Sequence, residues 1–365
     1  MKIPFFDLTR QYEGIKSRID AAVLKRFSSQ QFVGGEEVQR IETRIADFTG
    51  SRFAVGCGTG TDALILALKA LGIGPGDEVI VPAYTFFASA EAVSWVGATP
   101  RFSDIERTTF NISPETVEPL INNNTKAIIP VHLFGQMVDV DGFKKLNAKY
   151  SIPIIEDAAQ AIGAKFRDLH IGSLGLMTAI SFYPTKNLGG AGDGGMVLTN
   201  DATIYAKLKS LRNHGEHENK RYIHQAIGTN SRLDAIQAAV LNVKLDYLNQ
   251  WNERRRRIAG HYIDFISKKG IEIDSPLEVS PRYHVYHQFV IQTPLREQLR
   301  EHFQNRGIST NIFYPLSVHL QPCFPDSGDR CPESDATCNR ALALPIFPEL
   351  TDDEVTYIGR SIEAF

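Results

Sequence analysis

A single lysine stands in the stretch Ser181-Phe-Tyr-Pro-Thr-Lys186-Asn-Leu-Gly-Gly190, behind an apolar strand-like run, Ala179 to Tyr183, that stops at Pro184. Glycines follow it at positions 189, 190, 192, 194 and 195. A lysine at the end of a buried strand, backed by flexible chain, can be desolvated. Desolvation disfavours the ammonium and leaves a nucleophilic amine. That amine can form a Schiff base with a carbonyl compound or with pyridoxal phosphate (PLP). The same pattern also describes a solvated loop lysine, so other residues have to complete the chemistry.

Three further segments offer matching parts. Gly58-Thr-Gly-Thr-Asp-Ala63 lies between a strand and a helix. Its glycines let backbone approach an anion, and the first helical amides point at it, with the hydroxyls of Thr59 and Thr61 beside them. It is neither a Walker loop nor Gly-x-Gly-x-x-Gly. A phosphate monoester fits, and so does a plain turn with a helix cap. Ile154-Ile-Glu-Asp157-Ala-Ala-Gln160 ends an apolar strand with acids. A buried carboxylate needs a cation, and a protonated pyridine nitrogen is one. Strand alternation sends Glu156 and Asp157 to opposite faces and does not choose between them. In Tyr84-Thr-Phe86, after Pro82, an aromatic ring could stack on a cofactor or pack in a core.

These residues need elements to hold them. From residue 50 to about 213, short β-branched runs alternate with helical stretches. Phe53-Ala-Val-Gly56, Val79-Ile-Val81, Ala127-Ile-Ile-Pro-Val131 and Ile152-Pro-Ile-Ile155 read as strands, and 62–71 and 86–96 as helices. Such alternation predicts an α/β fold with a mostly parallel sheet, ligands binding beyond the strands' carboxyl ends. Thr59 to Thr61, Asp157 and Lys186 fall at those ends. Helices are expected over 9–27, 36–48 and, as one long amphipathic element, 232–248. Past residue 250, charged helices mix with short strands such as Val285 to Ile291. This predicts a large domain over 1–248 and a smaller α+β domain over 249–365.

Composition narrows the classes. The 365 residues carry a net charge of −3, so no overall basic field attracts nucleic acid or anionic membrane. Arg254 to Arg257 is the one basic run. Four consecutive helical residues spread around the axis, which favours a solvated helix surface. The four cysteines form no Cys-x-x-Cys, no apolar leader opens the chain, and no stretch is long enough to span a membrane. A reduced, cytoplasmic enzyme is expected. Cys57 reads as core. No metal is expected: the pairs His214/His217 and His284/His287 lack a third ligand.

With these residues assembled, the chain resembles the DegT/StrS-type nucleotide-sugar aminotransferases, a branch of the fold-type-I PLP enzymes. The resemblance runs from Phe6-Asp-Leu8 to Leu344-Pro-Ile-Phe-Pro348. It rests on Gly60-Thr-Asp-Ala-Leu64, Pro82-Ala-Tyr-Thr-Phe86, Glu156-Asp-Ala-Ala-Gln160, the Lys186 stretch and Asn230-Ser-Arg-Leu-Asp-Ala-Ile-Gln-Ala238. It implies an aspartate-aminotransferase-like domain with a seven-stranded type of sheet, and transamination with L-glutamate as amino donor. It further implies that Lys186 forms the Schiff base and shuttles the proton, and that Asp157 holds the pyridinium. Gln160 would meet the phenolic oxygen, Phe86 would stack on the ring, and Gly60, Thr61 and Ser181 would hold the phosphate with Thr59 close by. Asn230 would reach the phosphate from a neighbouring subunit, making a homodimer with shared sites. Tyr183 and Tyr314 would border the sugar.

Three positions depart from the family pattern: Thr185, the Gly190-Ala-Gly192 turn, and Phe313 where relatives carry His. Lys186 disfavours the family's dehydratase branch. The favoured acceptor is a UDP-linked 2-acetamido-3-keto-hexuronate, with Arg232 a partner for its carboxylate or a structural contact to Asp234. A dTDP-linked 3-keto-6-deoxyhexose and a 4-keto sugar stand as alternatives. A non-catalytic PLP-binding regulatory protein is the alternative of another class.

Overall fold

Seven short strands, almost wholly buried, form the centre of the molecule: β1 (Phe53–Cys57), β2 (Glu78–Pro82), β3 (Thr99–Ser103), β4 (Thr125–Ile128), β5 (Ile155–Asp157), β6 (Met177–Ser181) and β7 (Gly195–Thr199). The computed structural model describes residues 1–268, 272–325 and 328–365. Strands β3-β2-β4 and β5-β6-β7-β1 are hydrogen-bonded sets. Parallel bridges Ile128–Ile154 and Val131–Asp157 join them into one sheet, β3-β2-β4-β5-β6-β7-β1. Only β7 runs antiparallel to its neighbours. Helices cover both faces, which is why the strands read as continuous apolar runs rather than alternating ones.

The helices that matter for the site start at the sheet's carboxyl edge. Helix α1 (Leu8–Ser29) and α2 (Glu36–Thr49) lie N-terminal to the sheet in sequence. Helix α3 (Gly60–Ala70) begins where Thr59 Oγ1 accepts from the Asp62 amide at 2.9 Å. It is buried nearly all round, by Ala63, Leu64, Leu66, Ala67, Leu68 and Ala70, so propensity and packing agree. Helix α4 (Ala88–Trp95) starts two residues later than expected, leaving Phe86 outside it.

The expected single helix over 232–248 divides. Helix α5 spans Ala235–Lys244, a 3-10 turn covers Leu245–Tyr247, and α6 runs Leu248–Ser267. Asp234, in extended conformation, ends the helix on its N-terminal side, so Arg232 and Leu233 lie outside it. Beyond α6, β8 (Phe289–Gln292) pairs antiparallel with β9 (Ala341–Leu344). The predicted strand 285–291 thus begins only at Phe289. Residues 284–288 are held by long-range contacts instead, the amides of Val285 and His287 donating to the carbonyls of Gly135 and Phe134.

The basic run is not a solvated surface. Arg255 is fully buried and donates to the Ile346 carbonyl at 2.6 Å. Arg254 pairs with Asp352 and Arg256 with Glu278. Among the described residues, no helix is long and apolar enough to cross a membrane.

Candidate active site

The carboxyl ends of β1, β2, β5 and β6 open into one cleft of about 730 Å³. Thr59, Gly60, Thr61, Phe86, Asp157, Gln160, Ser181, Tyr183, Lys186 and Tyr314 all line it. They come from segments spread over the chain from 59 to 314, and the sheet order alone brings them together.

Lys186 sits in the connection between β6 and β7, its amide donating to the Tyr183 carbonyl at 2.8 Å. The side chain is half-buried where it lines the cleft. Burial pushes its pKa down to about 8, against an upward pull from Asp157. A group that loses its proton near pH 8 is a nucleophile at pH values where a free lysine is not. In the cofactor-free protein, Lys186 is expected to react with aldehydes and acylating reagents with a midpoint near pH 8. Peptide mapping across a pH series checks this; a midpoint at ordinary lysine values would show the amine to be solvated.

Asp157 ends β5 and is buried. Its Oδ2 accepts from Ser89 Oγ at 2.8 Å and its Oδ1 from the Ala159 amide at 3.1 Å. Ser89 lies in the first turn of α4, so the carboxylate also faces that helix's positive end. Gln160 Oε1 accepts from the Phe134 amide at 2.9 Å, and its Nε2 donates to the Tyr314 hydroxyl at 3.2 Å. Phe86 is 56% exposed and Tyr183 53% exposed. Both line the cleft, so their ring surfaces are available to a bound molecule rather than spent on a core.

Strand alternation correctly separates the two acids. Glu156 points away from the cleft and is fully buried, held by His132 and by the loop after β5. Asp157 alone faces the cleft.

The first turn of α3 packs against the end of β6. A Cβ built on Gly60 would meet Ser181 Cβ at 2.7 Å, closer than such atoms approach. Gly60→Ala is therefore expected to push the first turn of α3 away from Ser181. We expect the affinity for phosphate-bearing ligands to fall by about tenfold or more, as one charge-assisted bond of about 1.5–3 kcal/mol is weakened. Titration with PLP and with inorganic phosphate checks this, and unchanged affinity for both would count against the cradle.

Asn230 and Arg232 do not enter this cleft. Both are exposed. Arg232 donates to Asn213 Oδ1 at 3.2 Å, not to Asp234, and borders a separate cavity of about 910 Å³ with Lys69 and Arg212. Neighbouring Ser231 is tied inward, donating to Asp62 Oδ2 at 2.7 Å and accepting from the Gly58 amide at 2.9 Å.

Three cleft features escape sequence reasoning: Ser89 behind Asp157, the buried Thr85, and His287. Ser89 could have been sought as a small polar residue one helical turn beyond a strand end. Nothing local marks His287. Among the described residues no cluster of His, Cys, Asp or Glu is suited to a metal ion.

The family model described as DegT/DnrJ/EryC1/StrS aminotransferase matches residues 13–363. The chain is 43% identical over 369 residues to a pleiotropic regulatory protein of Geobacillus stearothermophilus, covering 100% of this chain and 99% of that one. It is 41% identical over 361 residues to a UDP-N-acetyl-3-dehydro-alpha-D-glucosamine 3-aminotransferase of Acidithiobacillus ferrooxidans (99% and 97% covered). It is 37% identical over 356 residues to a UDP-2-acetamido-2-deoxy-3-oxo-D-glucuronate aminotransferase of Pseudomonas aeruginosa (98% of each). Among solved structures, S. venezuelae DesV in complex with a ketimine intermediate superposes with a TM-score of 0.95. That pair is 39% identical, covering 100% of this chain and 98% of that one.

Proposed function

The chain belongs to the DegT/DnrJ/EryC1/StrS aminotransferase family, and from that premise we propose that it moves the amino group of L-glutamate onto a nucleotide-linked 3-keto sugar. It is a PLP-dependent nucleotide-sugar aminotransferase. The observation that carries the residue assignments is that Lys186, Asp157, Gln160 and the Thr59–Thr61 turn line one cleft.

The residues present fit the cofactor. Lys186 offers an amine of lowered pKa, and the space a Cβ would fill at Gly60 lies beside Ser181. The Thr85 hydroxyl is buried at the cleft with no hydrogen-bond partner among the described residues. When bound, PLP supplies the electron sink that makes the donor's α-proton acidic. Lys186 Nζ would take up that proton and return it during the transfer. Asp157, aimed by Ser89 and the Ala159 amide, would hold a proton on the ring nitrogen. Gln160 would meet the ring's oxygen, Phe86 would cover one ring face, and Thr61, Gly60 and Ser181 would hold the phosphate. Thr59 keeps the α3 terminus in place through its cap. Tyr183 and Tyr314 border the sugar.

For the acceptor we favour a UDP-linked 2-acetamido-3-keto-hexuronate, supported by the activities named for the two sugar aminotransferases above. Arg232, exposed and holding a single side-chain contact, would meet the uronate carboxylate, and Asn230 the phosphate, of the neighbouring subunit's site. A hairpin of Glu216–His217 with Lys220–His224 and the segment after it support a dimer, since they present Tyr222, Ile223 and Ile227 to solvent in the single chain. Mixing inactive Lys186→Ala and Asn230→Ala subunits should restore part of the activity if sites are shared; no restoration would argue for self-contained sites.

The test of the acceptor is absorbance of the yellow holoenzyme during titration with a UDP-3-amino-hexuronate, a dTDP-3-amino-6-deoxyhexose and a dTDP-4-amino sugar. Bleaching by the first supports this reading; bleaching by another reassigns the acceptor. The regulatory name of one relative keeps a non-catalytic role in view, and a glutamate half-reaction, which such a role does not need, separates the two.

A further inference from the structure

The residue after Lys186 belongs to a buried chain of amides whose direction can be read from its ends. Asn252 Nδ2 donates to the Ile162 carbonyl at 3.1 Å, and a carbonyl can only accept. Asn252 Oδ1 is therefore the atom facing Asn187, which donates to it through Nδ2 at 2.8 Å. The same Nδ2 donates to the Val285 carbonyl at 3.2 Å. Asn187 must then present Oδ1 to His287 Nδ1, 3.0 Å away, and an amide oxygen can only accept. His287 consequently carries its proton on Nδ1. Its other nitrogen, Nε2, is a bare lone pair, with no hydrogen-bond partner among the described residues. Asn187, Asn252 and His287 are all buried, and His287 lines the same cleft as Lys186.

We propose that His287 is a positioning residue for Lys186, its bare Nε2 accepting a hydrogen bond from the lysine amine once the amino donor has released it. This rests on the aminotransferase reading given above. Held in this way, the amine turns its lone pair toward the reacting carbon instead of rotating freely about its four-carbon stem. The imidazole is suited to accept because it stays neutral. Burial drives its pKa well below the usual histidine value, and Lys186 and Arg255 push it further. Arg255 fixes the backbone on the other side, donating to the His287 carbonyl at 3.4 Å and to the Ile346 carbonyl at 2.6 Å. The amide chain thus does two things. It ties the segment carrying Lys186 to α6, and it sets the tautomer of an acceptor that lines the same cleft.

The first test needs no turnover. Protein labelled with 15N-histidine is expected to show His287 as the Nδ1–H tautomer in both apoprotein and holoenzyme, and as a mixture in Asn187→Ala. An Nε2–H tautomer in the unaltered protein would overturn the proposal. The second test separates the half-reactions. His287→Leu is expected to slow the glutamate and the amino-sugar half-reactions alike, by on the order of tenfold to a hundredfold, with KM unchanged. His287→Gln, which restores a neutral acceptor, should recover most of both rates. A loss confined to the amino-sugar half-reaction would mean that Nε2 reads the sugar and not the lysine. A Gln variant no better than Leu would reduce His287 to packing. Failure of the unaltered enzyme to react with any amino donor would instead count against the aminotransferase reading and leave the tautomer assignment standing.

Discussion

Lys186→Ala is expected to abolish turnover while the variant still binds PLP. In the proposed mechanism two contributions vanish together: the amine that anchors the cofactor covalently and the base that moves the α-proton. General acid–base catalysis alone contributes on the order of a hundred- to ten-thousand-fold. Cofactor binding persists because its other contacts remain. Asp157 stays anchored by Ser89 at 2.8 Å and the Ala159 amide at 3.1 Å, and Gly60 and Ser181 stay adjacent. Reduction with borohydride followed by mass measurement should find the cofactor joined to Lys186 in the unaltered enzyme and to no residue in the variant. A small exogenous amine should restore a fraction of the α-proton transfer. Turnover within tenfold of the unaltered enzyme would refute the assignment.

Glu156→Ala, one residue from Asp157, is expected to damage stability rather than chemistry. Its Oε1 accepts from the Gly175 amide at 2.8 Å, from the Leu174 and Gly172 amides at 3.1 Å and from Thr178 Oγ1 at 3.1 Å. Its Oε2 accepts from His132 Nε2 at 2.8 Å. His132 Nδ1 is itself occupied as an acceptor from the Val138 amide at 3.2 Å, so Nε2 carries the proton. Removing the carboxylate strands these donors in a site closed to solvent. Each buried donor left unpaired costs about 1–3 kcal/mol, so a loss of several kcal/mol is expected. Denaturant unfolding of the apoprotein measures it, and a loss below about 1 kcal/mol would contradict the role.

The same group gives the protein an acid limit. Burial opposes ionisation of Glu156, but His132 and the Gly175 and Gly172 amides outweigh it and hold the pKa below the usual glutamate value. A carboxyl whose folded pKa lies below its unfolded one adds stability that is fully present above the unfolded value. That stability is lost as pH falls through the folded value. Stability of Glu156→Ala should accordingly change less with pH on the acid side than that of the unaltered protein.

Much of this site was legible in the sequence because its signals are local. Lys186 follows an apolar run that stops at Pro184, although the strand itself ends earlier, at Ser181, and Thr59 and Gly60 sit at a strand-to-helix turn. Alternation alone put Glu156 and Asp157 on opposite faces, but only the resemblance to a family told which face was the cleft. Features made by distant contacts stayed hidden. Ser89 gains its meaning from Asp157, and His287 from Asn187 and Asn252. Arg255 looked solvated because the carbonyl that binds it, Ile346, is far along the chain. The helix expected over 232–248 started too early because the apolar stripe continues through Leu233, while the Asp234 backbone is extended.

The reversal of β7 has a consequence for how this protein could be altered. Ser181 pairs with Gly195 across adjacent antiparallel strands, so the segment bearing Lys186 leaves and re-enters the sheet at neighbouring points. The other adjacent, consecutive strands of the sheet are parallel, and a parallel link must cross the sheet from end to end. Not all of the link between β6 and β7 is free to change. Gly189 and Gly190 are buried, and a Cβ on Gly189 would meet the Pro184 carbonyl oxygen at 2.2 Å. Exposed Asp193, which lines the cleft, is where the link can be altered without disturbing the strands on either side.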